Sequence, residues 1–428
     1  MKFSTTRYFL YTIVFLSLLS CSTLRKVMPD NSSKNVNENK SSSATTSTKF
    51  IYKPKPSDEI IPRGIDFANT PSVIAFGSCA HQDFPQPLWE QIQKDSPDLF
   101  LFTGDTVYAS TSETKPFQAQ YKKLNQIKEF RSFREKVPFM ATWDDHDFGV
   151  KDGGADNPDK EEARKEFLTQ WGYIKDSLKM NQKGIYHAKI LGGVKKKSPS
   201  VQIIVLDTRW FRSPLKYAEV TEDVPLKEVM ATTVAGVSPG VVPAIPPTTS
   251  PGSNTELPAM VVKTEKKVVK KIIPNTDKAA TILGEEQWQW LERQFRKPAN
   301  LRILVSSIQF VAENHPYEKW SNFPNEKERM VQLLKKTGVK NLFIVSGDMH
   351  VGSIAKMDIK GWGPLFDITA SGINRVADVK IEDPSYVGNQ AKTENFGLFH
   401  VDWSRKKLTV ELRDNENKVV NKLETSLK

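Results

Sequence analysis

Four apolar runs in this chain stop at residues that bind metals. Val73-Ile74-Ala75-Phe76 leads to Cys79, and Leu99-Phe100-Leu101-Phe102 leads through Thr103-Gly104 to Asp105 and Tyr108. Phe139-Met140-Ala141-Thr142-Trp143 runs into Asp144-Asp145-His146-Asp147, and Asn341 to Val345 runs through Ser346-Gly347 to Asp348 and His350. Short apolar runs bounded by turn residues read as strands. In open α/β sheets, ligands bind outside the carboxyl ends of the strands. Four strand ends carrying acids, His, Cys and Tyr therefore predict one shared site. Buried carboxylates without partners are expensive, and a metal is the usual way to hold several together.

The 428 residues suit two or three domain-sized units, or one large α/β domain with insertions. A hydrophobic content of 38% suffices for a core, and 26 prolines argue against a simple helical bundle. Two cysteines exclude a disulfide scaffold and an all-cysteine zinc site. Only the first segment has a long apolar run, which excludes a polytopic membrane protein. The 61 basic residues exceed the 50 acidic ones. The lysines are scattered, with no aromatic-interleaved basic stripe, so sequence-directed nucleic-acid binding is not expected.

Lys2 and Arg7 precede an apolar stretch, Tyr8 to Leu19, that ends in Leu18-Leu19-Ser20-Cys21. This order of basic, apolar and small residues reads as a secretory signal, too short to span a membrane. Leu-Leu-Ser-Cys resembles a bacterial lipobox. That implies cleavage before Cys21, lipidation of its thiol, and an exported lipoprotein, with Ser22 favouring the outer membrane. An ordinary signal or an uncleaved anchor is the alternative. Residues 1–20 are thus read as signal peptide, 21–49 as a flexible Ser/Thr/Asn-rich tether, and 50–428 as the folded domain.

Phe117, Tyr121, Leu124 and Ile127 predict a helix near 117–135, and Ala163, Phe167 and Trp171 another over 159–171. Further helices are expected at 283–296 and 326–337, strands at 201–206 and 301–306, and an antiparallel hairpin from 396–403 and 407–412. Residues 213–281 break this rhythm: they hold nine prolines, and no aromatic lies between Tyr217 and Trp288. Val261 to Lys271 has the pattern of a strand. The rest is loop chemistry, so a partly disordered surface insertion is expected.

Each strand end also has a plainer reading. Asp105 and Asp348 are read as turn or cap residues, and 144–147 as an exposed acidic turn. Cys79 is read as a small hydrophobe and Trp143 as packing. Against this, adjacent carboxylates repel unless a cation lies between them. Those acids are also expected to keep His146 protonated, suited to stabilise or protonate an anion.

Taken in order, GSC (77–79), GDTVY (104–108), TWDDHDFG (142–149), LDTRWFR (206–212), LGEEQWQWLERQF (283–295) and SGDMHVG (346–352) resemble the alkaline phosphatase D (PhoD-like) metallophosphatases of the calcineurin-like superfamily. The similarity runs from about Val73 to Trp403. The resemblance implies a four-layer α/β/β/α sandwich with two mixed sheets, and a site holding Fe3+ and Ca2+. Another divalent pair, Zn2+ or Mn2+, is the alternative. It implies Cys79, Asp105, Tyr108 and His350 as iron ligands, with Asp105 bridging and Asp145 and Asp348 on the calcium side. Asp145 stands where the superfamily usually has Asn, and Asp348 where it often has His, both changes toward hard donors. The family often carries a β-sandwich domain ahead of its core; only residues 50–72 lie between the tether and Val73, so that domain is not expected here.

The expected chemistry is metal-assisted hydrolysis of a phosphoester, mono- or diester, with phospholipid or teichoic-type polymer among the candidate substrates. His146 would help the leaving group or transition state. Arg209 would clamp a phosphoryl oxygen, with a salt bridge to Asp207 or another acid as the alternative. His81, His315, Asn314 and Gln309 are lesser candidates. A monomer is expected. The rival reading is a surface-anchored binding lipoprotein with a vestigial site.

Overall fold

The computed structural model describes residues 60, 62–109, 116–195, 198–225, 264–377 and 381–428. The signal, the tether and residues 226–263 of the insertion lie outside the described residues. In chain order the strands are β1 (Val73–Gly77), β2 (Leu99–Thr103), β3 (Phe139–Thr142), β4 (His187–Gly192), β5 (Ser200–Val205), β6 (Lys216–Pro225), β7 (Thr264–Ile273), β8 (Leu301–Val305), β9 (Leu342–Ser346), β10 (Gly352–Ile359), β11 (Gly363–Ala370), β12 (Asn395–Asp402), β13 (Lys407–Asp414) and β14 (Val419–Ser426). The helices are α1 (Leu88–Lys94), α2 (Phe117–Gln126), α3 (Lys128–Lys136), α4 (Asp145–Phe148), α5 (Lys160–Gln170), α6 (Gly284–Phe295) and α7 (Pro324–Thr337).

Two six-stranded mixed sheets form, in the orders β14-β13-β12-β1-β2-β3 and β10-β11-β9-β8-β5-β4. Strands β1, β2 and β3 run parallel in the first sheet, as do β5, β8, β9 and β11 in the second. The period-2 alternation of strand side chains sorts the apolar residues into three cores. Ala75, Phe100, Phe102 and Ala141 face outward against Trp89, Leu124, Phe130, Phe133 and Phe167. Ile74, Phe76, Leu99 and Leu101 face inward and meet Ile203, Val205, Ile303, Val305 and Val345 of the other sheet. Ile204, Leu304 and Ile344 point outward onto Trp288, Leu291, Phe295, Met330 and Leu334. Every second residue of one strand thus serves a different layer, which makes the expected four-layer sandwich.

The helix expected at 117–135 is two, α2 and α3. Ile127 breaks them with an extended backbone (φ −68°, ψ 116°), and Phe130 and Phe133 continue the buried face on α3. The insertion also differs from expectation. Lys216–Pro225, read as loop, is strand β6 and pairs antiparallel with β7, from Lys216 opposite Ile273 to Pro225 opposite Thr264. This ribbon escaped the apolar pattern because it does not pack into a core: Tyr217 and Val268 are exposed. Its pairing instead sets Glu219 opposite Lys270, and Glu222 forms an ion pair with Lys271.

Candidate metal centre

The carboxyl ends of the two sheets meet. Ser78, past β1, bridges Ser371, past β11. Thr103 Oγ1 donates to the Ser346 carbonyl (3.3 Å), and Thr142 Oγ1 to the Leu206 carbonyl (2.7 Å). The approach leaves no room for side chains at two glycines. A Cβ on Gly104 (φ 109°) would lie 2.6 Å from Asp144 Cβ, and one on Gly347 2.5 Å from Ser78 Oγ. Each of these glycines precedes a cluster aspartate.

Beyond the strand ends the backbone turns through the left-handed region at Cys79 (φ 63°), Asp105 (51°), Asp348 (67°) and His350 (56°). Each such residue costs on the order of 1–2 kcal/mol, and strain of this kind gathers at functional sites. Here it aims four donor side chains at one another.

Three overlapping groups of donors result: Cys79, Asp105 and His350; Asp105, Asp145 and His146; Asp144, Asp145 and Asp348. Within each, one donor atom per residue lies within 4.8 Å of the others. Cys79 Sγ is 3.6 Å from Asp105 Oδ2, and Tyr108 Oη is 3.1 Å from His350 Nε2. All six residues read from the sequence as metal ligands therefore converge, and Asp144 joins them.

Without a cation this cluster is electrostatically unfavourable. Burial, then Asp145 and Asp144, push the Asp105 carboxyl well up, and burial with Asp144 does the same to Asp348. Burial also raises the Cys79 thiol and the Tyr108 phenol. Asp144 rises to about 7, burial outweighing its pairing with Arg209. Asp144 Oδ2 and Asp145 Oδ1 are buried without a hydrogen-bond partner. Repelling acids with unsatisfied oxygens, beside a thiol, a phenol and imidazoles, fit cations.

His146 departs from expectation. Burial pushes its pKa down, and this outweighs the pull of Asp145, so the imidazole is neutral rather than protonated. His350 falls to about 4 by burial and then by the charge of Arg375. Neutral imidazole is the metal-ligating form.

Arg209 is not placed as an open clamp. It is fully buried, with Nε 2.7 Å from Asp144 Oδ1 and Nη1 2.6 Å from Glu318 Oε2. Arg212 Nη1 reaches the other Glu318 oxygen at 2.9 Å. The salt bridge to another acid is the arrangement formed, and it holds Asp144 at the cluster. Asp207 instead accepts from Trp143 Nε1 and the backbone N–H groups of Ile185, Arg209 and Trp210. Asp147, the third acid of the string, accepts from the Thr106 and Val107 N–H groups and ties the Asp105 loop to α4.

Of the lesser candidates, His81 stacks on Tyr108, with centroids 4.6 Å apart. His315 is buried, and burial takes its pKa to about 3; it joins none of the three donor groups. Gln309 binds Thr369 and Tyr386, and Asn314 gives its N–H to Asp383. Sequence reasoning gave no role to Asp144, Glu318, Ser371 or Arg375. Ser371 Oγ lies 3.1 Å from Cys79 Sγ and accepts the His350 N–H at 2.8 Å. Only Asp144, beside His146 in the acidic string, carried a local signal.

The PhoD-like phosphatase family matches residues 74–411 of the chain. A curated relative, alkaline phosphatase D of Bacillus subtilis (strain 168), is 25% identical over 88 residues, a stretch covering 18% of this chain and 15% of that protein. A solved structure described as PhoD superposes with a TM-score of 0.55 at 15% identity, covering 84% of this chain and 69% of that one. A purple acid phosphatase from yellow lupin (Lupinus luteus) gives a TM-score of 0.48 at 9% identity, covering 84% and 55%.

Proposed function

The chain belongs to the PhoD-like phosphatase family, and from that premise we propose that it hydrolyses phosphoesters with a metal pair held by Cys79, Asp105, Tyr108, Asp145, Asp348 and His350. The observation that carries this reading is the convergence of eight donor residues, His146 and Asp144 among them, at strand ends of both sheets. Cys79, Tyr108 and His350 suit Fe3+, with Asp105 shared; Asp145, Asp348 and Asp144 suit the harder Ca2+. When bound, such a pair neutralises charge on the phosphoryl group and makes water a better nucleophile.

The protein's own groups do the rest. Asp144 is held by Arg209 and by Ser307 Oγ, 2.5 Å away, so its free oxygen keeps a fixed direction. His146 packs on the Tyr108 ring, with centroids 4.1 Å apart. As a neutral imidazole it acts by donating an N–H hydrogen bond to an oxygen on which charge develops.

The further parts of the proposal concern location and substrate. The lipobox-like stretch at Cys21 supports an exported, lipid-anchored protein facing the periplasm or cell surface, with the outer membrane favoured. A membrane-tethered enzyme would meet diesters such as phospholipids, so phosphodiesterase or phospholipase D-like activity stands beside phosphomonoesterase activity. Turnover of p-nitrophenyl phosphate and bis-p-nitrophenyl phosphate by metal-replete protein tests the reading. Chelator-sensitive hydrolysis of at least one is expected; no hydrolysis of either by protein of verified metal content contradicts it.

A further inference from the structure

Arg375 follows β11 at the edge of the donor cluster. Its backbone neighbours are pinned to the Cys79 loop. The Ile373 N–H donates to the Ser78 carbonyl (3.0 Å) and the Asn374 N–H to the Cys79 carbonyl (3.3 Å). The Asn374 side chain closes a two-way pair with the His81 backbone, accepting at 2.7 Å and donating at 2.9 Å. From that fixed base the guanidinium lies 5.8 Å from the Tyr108 ring centroid and 5.9 Å from that of Phe84. Its charge reaches His81, His146 and His350, helping to hold all three imidazoles down.

Among the described residues this cation has no counter-charge. Arg209 and Arg212 are held by Asp144 and Glu318, whereas no carboxylate among the described residues forms an ion pair with Arg375. Its Nε is buried without a hydrogen-bond partner. Beside a cluster of acids, a guanidinium stacked on two rings yet paired with none of them is kept free for something else. Its planar fork of donors matches the oxygens of a phosphoryl group.

We infer that Arg375 forms an anion subsite at the mouth of the metal centre, where it binds a non-bridging phosphoryl oxygen. The inference rests on the hydrolase reading above and sharpens it. A phosphomonoester carries a second negative charge that a diester lacks, so a fixed extra cation favours the monoester.

The test compares wild type with Arg375→Ala, Arg375→Gln and Arg375→Lys, measuring kcat and KM separately on p-nitrophenyl phosphate and its bis ester. In the Ala and Gln variants the monoester KM is expected to rise about tenfold, the diester KM less than about threefold, and kcat to change little. Lys recovers part of the loss. An unchanged KM, or equal rises for both esters, overturns the inference. Calorimetric binding of inorganic phosphate to the same metal-loaded proteins gives a readout without turnover. Binding is expected to weaken about tenfold in Arg375→Ala, and unchanged binding overturns the inference. If wild type turns over neither ester yet loses phosphate binding in the variant, the hydrolase reading fails and the subsite stands. Equal metal content and melting temperature across the set show that each variant folds.

Discussion

Tyr108 and His350 are 242 positions apart in the chain, and their Oη and Nε2 atoms lie 3.1 Å from each other. One follows β2 in the first sheet and the other β9 in the second, so neither sheet alone makes the pair. Burial raises the phenol and lowers the imidazole, leaving two neutral groups in contact. Together they would offer a cation a phenolate and a neutral imidazole.

Ferric iron, held by Tyr108 as proposed, would absorb visible light through the phenolate. Tyr108→Phe is expected to bleach or shift that band and to lower kcat/KM at least tenfold, or about 1.4 kcal/mol of transition-state stabilisation. Absorption spectra of the oxidised protein check this. A colourless wild type that contains ferric iron contradicts the assigned ligands.

Asp105 is shared by two donor groups and is pushed well up by burial and by neighbouring acids. Asp105→Asn removes one repelling carboxylate. It is expected to leave the metal-free fold as stable as wild type or about 1 kcal/mol more stable, while abolishing metal binding and activity. Chelation therefore lowers the melting temperature of wild type and not of the variant. Calorimetric scans with and without chelator give the comparison.

Arg209 sits wholly buried between Asp144 and Glu318. Removing one partner of a buried ion pair leaves an uncompensated charge and costs about 3–5 kcal/mol. Arg209→Met is expected to lose stability of that order in urea unfolding. Adding Asp144→Asn restores part of it, because the pair is coupled. A small effect, with only KM altered, would instead favour an open phosphoryl clamp.

His187 gives the fold a pH response away from the centre. Its Nδ1–H donates to the Ile185 carbonyl (2.7 Å), its Nε2 accepts from Tyr173 Oη (3.1 Å), and burial lowers its pKa to about 4. The unfolded chain binds a proton near pH 6.5 and the folded one near pH 4, so unfolding is favoured as pH falls through that window. The loss amounts to about 3 kcal/mol once both forms are protonated. His187→Gln is expected to flatten the stability profile between pH 6.5 and pH 4, as measured by urea midpoints; an unchanged slope would remove His187 from the account.

The candidate centre was legible because its proposed ligands stand directly after apolar strands, where local pattern and chemistry coincide. Cys79, Asp105, Asp145 and His350 could be read that way. Glu318 and Arg375 could not: one lies in an irregular loop and the other past an edge of the strand pattern, and only the folded chain brings them near Asp144 and Tyr108. The charge state of His146 was misread because sequence shows its acidic neighbours and not its burial. Strands β6 and β14 were missed for a common reason. Neither has a fully buried face among its described residues, and β14 alternates only between half-buried and exposed positions, so no apolar pattern marks them.

Metal analysis of purified, metal-replete protein bears most directly on the whole account. About two cations per chain are expected in wild type, iron and calcium the favoured pair, falling below one in Asp105→Asn. Wild-type protein that retains no iron, calcium, manganese or zinc after incubation with each would contradict the reading of these side chains as a metal centre.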